Sequence, residues 1–154
     1  MYRSMFALVL VLVMLAPCLA QQSLVGTYKL VSVTRIIDGK QQESKGKPPH
    51  GYTIVTPNHY IVFYTDGDRK YGASDSERAA LWDTMTAFAG PYRFDGKKLT
   101  ISVDTSWNEV YNSTQQVRDI ELRGKRLVSS SAPRPWGRDP SKQIVLRTEW
   151  EKVE

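Results

Sequence analysis

The strongest constraint on this chain is a two-residue hydrophobic alternation that stops repeatedly at short turn-forming pairs. Gly51–Thr56 (GYTIVT) and Tyr60–Tyr64 (YIVFY) flank Pro57-Asn58. Tyr92–Phe94 and Lys98–Asp104 flank Asp95-Gly96, with Leu99, Ile101 and Val103 on one face and Thr100 and Ser102 on the other. Gln115–Leu122 and Lys125–Ser130 flank Arg123-Gly124. Successive side chains of a strand point to opposite faces, and Gly, Asn, Asp and Pro supply the backbone angles of tight turns, so each pair reads as a hairpin. Leu24–Arg35 and Gln143–Trp150 share the β-branched and aromatic content of strands and bring the number to eight. Such a row has two unpaired edges unless its first and last strands meet. The expected fold is therefore all-β, an eight-stranded antiparallel up-and-down barrel. The polar stretches Ile36–Pro49 and Ser131–Lys142 read as loops.

One segment departs from this pattern. Ser74-Asp75-Ser76-Glu77 has the spacing of a capping box, in which Ser and Glu each satisfy a backbone N–H of the other. It predicts a single inserted helix over about residues 75–89, ending at the breaker pair Gly90-Pro91.

The first twenty residues follow a different logic. Arg3 precedes the uncharged apolar run Met5–Leu15, then Pro17 and a small residue at Ala20. This is the arrangement of a cleavable secretory leader over residues 1–20, its apolar run shorter than a bilayer-spanning helix needs. The domain plan is then a leader followed by one barrel over residues 21–154, secreted or periplasmic and without a transmembrane segment once the leader is removed. Leu15-Ala16-Pro17-Cys18 also resembles a lipoprotein box, and the alternative is a barrel lipid-anchored through Cys18, although Pro17 stands where such boxes carry a small residue. Cys18 is the single cysteine of the chain, so cleavage after Ala20 leaves a domain without disulfides, thiol nucleophiles or Cys-held zinc.

The 154 residues carry 21 Lys and Arg against 16 Asp and Glu, a net charge of +5. The cations are spread over the expected turns rather than gathered in a stripe, which argues against nucleic acid as a partner. His50 and His59 lack metal-ligand spacing, and no nucleophile elbow accompanies them, so neither a metal site nor any cofactor is expected.

Leu24-Val25-Gly26-Thr27-Tyr28-Lys29-Leu30-Val31-Ser32 resembles the L-x-G-T-W-x-L-V-S opening of the bacterial and fungal lipocalin-like domain family. In the same order follow Gly51–Tyr60, the stretch Phe88-Ala89-Gly90-Pro91-Tyr92-Arg93-Phe94-Asp95-Gly96 (Y-x-G-x-Y-x-x-D-G in the family), Arg118 with Glu121–Leu127, and Trp150-Glu151-Lys152. The resemblance implies a calycin-type barrel with its helix inserted after the third strand, and little about activity. Tyr28 replaces the usual Trp, and Leu99–Val103 lacks the histidines that many relatives carry there.

The function expected is binding, without catalysis, of a small apolar or amphipathic ligand that is anionic in one version of the reading. Its candidate site joins Tyr52, Tyr60, Tyr64, Trp82, Phe88, Tyr92 and Trp107 as apolar walls to Arg118 as polar anchor, with Trp82 and Phe88 forming a lid. Arg118 shares a strand face with Ile120 and Leu122, and a guanidinium there needs either a buried partner, such as Glu149 or Asp83, or an anionic ligand. Tyr28 is expected at the closed end under a cation from a late strand, Arg147 or Arg118. The alternatives are a cofactor-free isomerase or cyclase using the same cavity, and an envelope interaction module whose barrel is filled by side chains.

Overall fold

A computed structural model describes residues 24–42, 46–136 and 139–154. The leader, Cys18 included, lies outside them.

The strands are β1 (Gly26–Ile37), β2 (Lys40–Gln42), β3 (His50–Val55), β4 (His59–Thr65), β5 (Met85–Phe94), β6 (Lys98–Ser102), β7 (Thr105–Ser106), β8 (Gln115–Arg123), β9 (Arg126–Ser131), β10 (Arg134–Trp136) and β11 (Asp139–Lys152). Helix α1 (Asp75–Trp82) lies between β4 and β5. Eight strands pair antiparallel in the order β1-β3-β4-β5-β6-β8-β9-β11, and β11 pairs back onto β1 to close the barrel. The short strands are additions: β2 pairs with the end of β1, β10 with the start of β11, and β7 with β5. The first strand does meet the last, and the exposed edges are removed as the sequence anticipates.

The turns follow from local chemistry. Gly96 (φ 98°) and Gly124 (φ 58°) take the left-handed angles that the β5–β6 and β8–β9 hairpins require. Asp38 (φ 48°) and Gly39 (φ 76°) do the same between β1 and β2, turning part of the expected 36–49 loop into a hairpin. The expected 131–142 loop likewise contains β10, paired with the start of β11.

The helix is shorter than its sequence signal. The capping box forms as predicted, with Ser74 Oγ accepting from the Glu77 N–H and the Glu77 carboxylate accepting from the Ser74 N–H. The helix nevertheless ends at Trp82, and Met85–Phe94 is extended, paired with β4 from Thr65↔Met85 to His59↔Pro91. Thr84 and Thr86 favour the extended form, and the β4 edge offers a full ladder of partners that an isolated second helical turn does not. Gly90 is not a helix stop but a close-approach site: a Cβ there would meet the Ser102 carbonyl oxygen at 1.9 Å.

The core is the inward-facing row of each barrel strand. Tyr28, Leu30, Tyr60, Val62, Phe88, Tyr92, Leu99, Ile101, Ile120, Leu127 and Trp150 are all buried. At the closed end the Tyr28 hydroxyl donates to the Leu24 carbonyl (3.0 Å), and its ring lies under Lys152, whose Nζ is 5.8 Å from the ring centroid. The covering cation is thus Lys152 rather than Arg147 or Arg118, because the β1–β11 register sets Tyr28 opposite Lys152. No helix among the described residues is long and apolar enough to cross a membrane.

Candidate functional site

The end of the barrel opposite Tyr28 is open. There a cup of about 400 Å³ is walled by Val33, Tyr64, Met85, Ile144 and Leu146 from the strands and by Trp82, Trp107, Tyr111 and Trp136 from the elements above them. Its charged groups are Arg35, Asp66, Asp83 and Arg134. Arg35 and Asp66 form an ion pair at 3.6 Å across the rim. Beneath the cup is a chamber of about 30 Å³, bounded by Tyr60, Phe88, Arg118, Ser129, Thr148 and Trp150 among others. Tyr64, Thr86 and Leu146 line both spaces and form the neck between them.

Arg118 is the principal charged group of this interior. It projects inward from β8 because Ile120, two residues on, faces the core. Neither expected partner reaches it. Glu149 sits on the outer face of β11, 3.9 Å from Arg147, and Asp83 lines the outer cup. No carboxylate pairs with Arg118 among the described residues. Its Nη1 donates to its neighbour's Val117 carbonyl (3.0 Å) and its Nη2 to Gln116 Oε1 (3.3 Å). A guanidinium has five N–H donors, so most of its donor capacity remains without a protein acceptor.

Burial lowers the Arg118 pKa; the nearby hydroxyls of Tyr60 and Tyr64 oppose that and Arg134 adds to it. The guanidinium stays charged at neutral pH, in surroundings that disfavour charge. Burial likewise raises the Tyr60 phenol, against a hydrogen-bond contact of 3.4 Å with Thr53 Oγ1 and the field of Arg118. Tyr60 is therefore a neutral donor or acceptor beside a cation.

The floor is rigid. Phe88 stacks on Tyr60 at 6.4 Å between centroids, and Tyr64 meets Trp150 edge-on at 6.1 Å. Trp150 is buried, and its indole N–H donates to Thr148 Oγ1 (2.8 Å). In the cup wall Trp107 stacks on Tyr111 at 5.0 Å.

The eight residues singled out from sequence divide between places. Tyr60, Tyr64, Phe88 and Arg118 meet at the chamber, and Tyr64, Trp82 and Trp107 at the cup. Phe88 belongs to the β5 floor and not to a lid, because the helix stops six residues before it. Tyr92 is buried towards the other end, its hydroxyl donating to the Thr56 carbonyl (3.1 Å). Tyr52 is on the outside: Thr53 and Val55 face inward, so Tyr52 and Ile54 face outward beside Phe63 and Ile61 of β4. Sequence reasoning missed Trp136, Arg134, Thr148 and Trp150. The last two sit on an alternating strand whose inward face was readable, whereas Trp136 reaches the cup only through the β10–β11 pairing.

Among the described residues no group of three or more His, Cys, Asp or Glu side chains gathers as a metal site would. Compared with known proteins, the chain matches no family model and no curated sequence.

Proposed function

We propose that this protein is a lipocalin-like carrier that takes a small amphipathic anion into the open end of its barrel. One observation carries the reading: a partly buried guanidinium without a carboxylate partner lies directly beneath an aromatic cup of about 400 Å³. A buried charge without a counter-charge is costly, and a ligand that supplies the counter-charge recovers that cost on binding. The cup at the barrel mouth falls within the roughly 300–1,000 Å³ range of small-molecule sites, while the interior beneath it narrows to about 30 Å³. The alternative, a cofactor-free isomerase or cyclase, would draw on Tyr60 and Arg118, which line the same chamber. The ordered motifs and the closed barrel together support the lipocalin-like assignment.

Export belongs to the same proposal, with the 1–20 leader removed and the barrel secreted or periplasmic. Detergent-phase partition of the mature protein tests it, since lipidation at Cys18 gives a detergent-phase product and cleavage after Ala20 does not.

Binding is tested by titrating purified protein with a panel of fatty acids, retinoids and aromatic acids while following tryptophan emission. Trp82, Trp107 and Trp136 line the cup and Trp150 its floor, so occupancy changes the signal saturably. No saturable change with any of them defeats the carrier reading.

A further inference from the structure

The two stacked spaces differ in size by more than tenfold, and that difference narrows the ligand's chemistry. We infer that the inner chamber is a head-group socket selective for a carboxylate, with the ligand's flat apolar body held above it between the cup's aromatic walls. This rests on the carrier reading and adds which end of the ligand enters first and which anion it bears.

The argument begins with volume. A space of about 30 Å³ holds about two or three water-sized groups. A planar carboxylate, with one carbon and two oxygens, is of that size. A phosphate or sulfate ester head is tetrahedral and carries three terminal oxygens, which exceeds the chamber unless the floor moves. The floor does not yield readily, since the Phe88–Tyr60 stack and the hydrogen-bonded Trp150 form it. Close-packed interiors resist added volume at a cost of roughly 1–3 kcal/mol per overpacked site.

Donor geometry sets the charge of the head group, and volume sets its shape. Val117 and Gln116 each take one donor of the Arg118 guanidinium, one on either terminal nitrogen, and three of its five N–H groups remain for an anion that accepts two of them in parallel. Ser129 adds a small polar surface to the socket wall. Neutral heads leave the guanidinium without its counter-charge.

The neck gives the orientation. Tyr64, Thr86 and Leu146 separate the socket from the cup, so the ligand body cannot follow its head. It remains where Trp107, stacked on Tyr111, together with Trp82 and Trp136 offers flat apolar surface. Arg35 is paired with Asp66 at the rim and Arg134 lines the cup above the neck, so Arg118 is the cation at the bottom of the path.

The test uses three probes with one body: 2-naphthylacetate, 2-naphthyl phosphate and 2-naphthaleneethanol, titrated by calorimetry into the mature protein. The carboxylate is expected to bind roughly 10- to 100-fold more tightly than the other two, the worth of hydrogen bonds to a charged partner. Arg118→Met is expected to bring the carboxylate down to the level of the alcohol. Ser129→Val, which fills the socket and leaves the guanidinium in place, is expected to remove the same preference, so a folding defect in one variant does not block the test. A phosphate that binds as tightly as the carboxylate, or a preference that survives Ser129→Val, overturns the socket while leaving the carrier reading intact. Failure of all three probes, together with an unresponsive panel of fatty acids and retinoids, overturns the carrier reading itself.

Discussion

Arg118 shows how a single residue can be kept at the expense of stability. Its pKa is lowered by burial, so at neutral pH the folded protein holds a charge that the unfolded chain would solvate better. Arg118→Met in the ligand-free protein is therefore expected to leave the unfolding midpoint unchanged or to raise stability by roughly 1 kcal/mol, checked by thermal or urea unfolding. A large loss would mean that Arg118 is a structural strut. Thr148 gives the opposite case. It accepts the buried indole N–H of Trp150, and Thr148→Val keeps the shape while leaving that donor unpaired. The expected cost is about 1–3 kcal/mol in urea unfolding. Sequence alone placed Arg118 on an inward face but could not say whether a carboxylate met it. That depends on which strand faces the guanidinium across the barrel, a distance that no local pattern encodes.

At the scale of elements, α1 and β5 mark where local preference and tertiary pairing divide. The helix is well capped yet has no buried residue, so it is held at its ends rather than by the core. Ser74→Ala is expected to weaken the helix by about 0.5–2 kcal/mol, seen as faster amide exchange over residues 75–82, with the global unfolding midpoint unmoved. Glu77 adds a pH signature. Its pKa is lowered by hydrogen bonds, first from the Ser74 backbone N–H, then from the Ser74 side chain and the Ala73 N–H. A carboxylate with a depressed folded-state pKa stabilises fully above its ordinary value of 4.5 and ceases to do so as pH falls through the depressed one. Amide protection in α1 is thus expected to persist at pH 5 and fade only below pH 4.5, a profile that Glu77→Gln flattens. Beyond Trp82 the β4 edge governs. The stretch Met85–Ala89 reads as helix in isolation, and only the ladder with β4 makes it a strand. On its other side β5 passes close to β6 at Gly90, and Gly90→Ala is expected to cost about 1–3 kcal/mol by forcing β5 away from Ser102, measured by chemical unfolding.

For the whole molecule, closure is the decisive contact. β1 pairs with β11 from Tyr28↔Lys152 to Ile37↔Ile144, with a bulge between Leu30 and Ser32. The last residues of the chain also close the bottom, where the Val153 N–H donates to the Thr27 carbonyl (2.8 Å). Deleting Thr148–Glu154 is expected to expose the inner edges of β1 and β9 and to yield aggregated protein, checked by size-exclusion chromatography and circular dichroism. Local sequence determined the strand count, the three hairpin turns, the capping box and the inward row on most strands, because alternation and turn chemistry act over a few residues. Tertiary structure decided where α1 stops, that Lys152 rather than an arginine covers Tyr28, that Tyr52 faces outward, and that Arg118 lies without a carboxylate under an open cup. Each of these depends on pairing register between strands distant in sequence. A shift of one residue there reverses every side chain, and only the closed barrel selects among the registers.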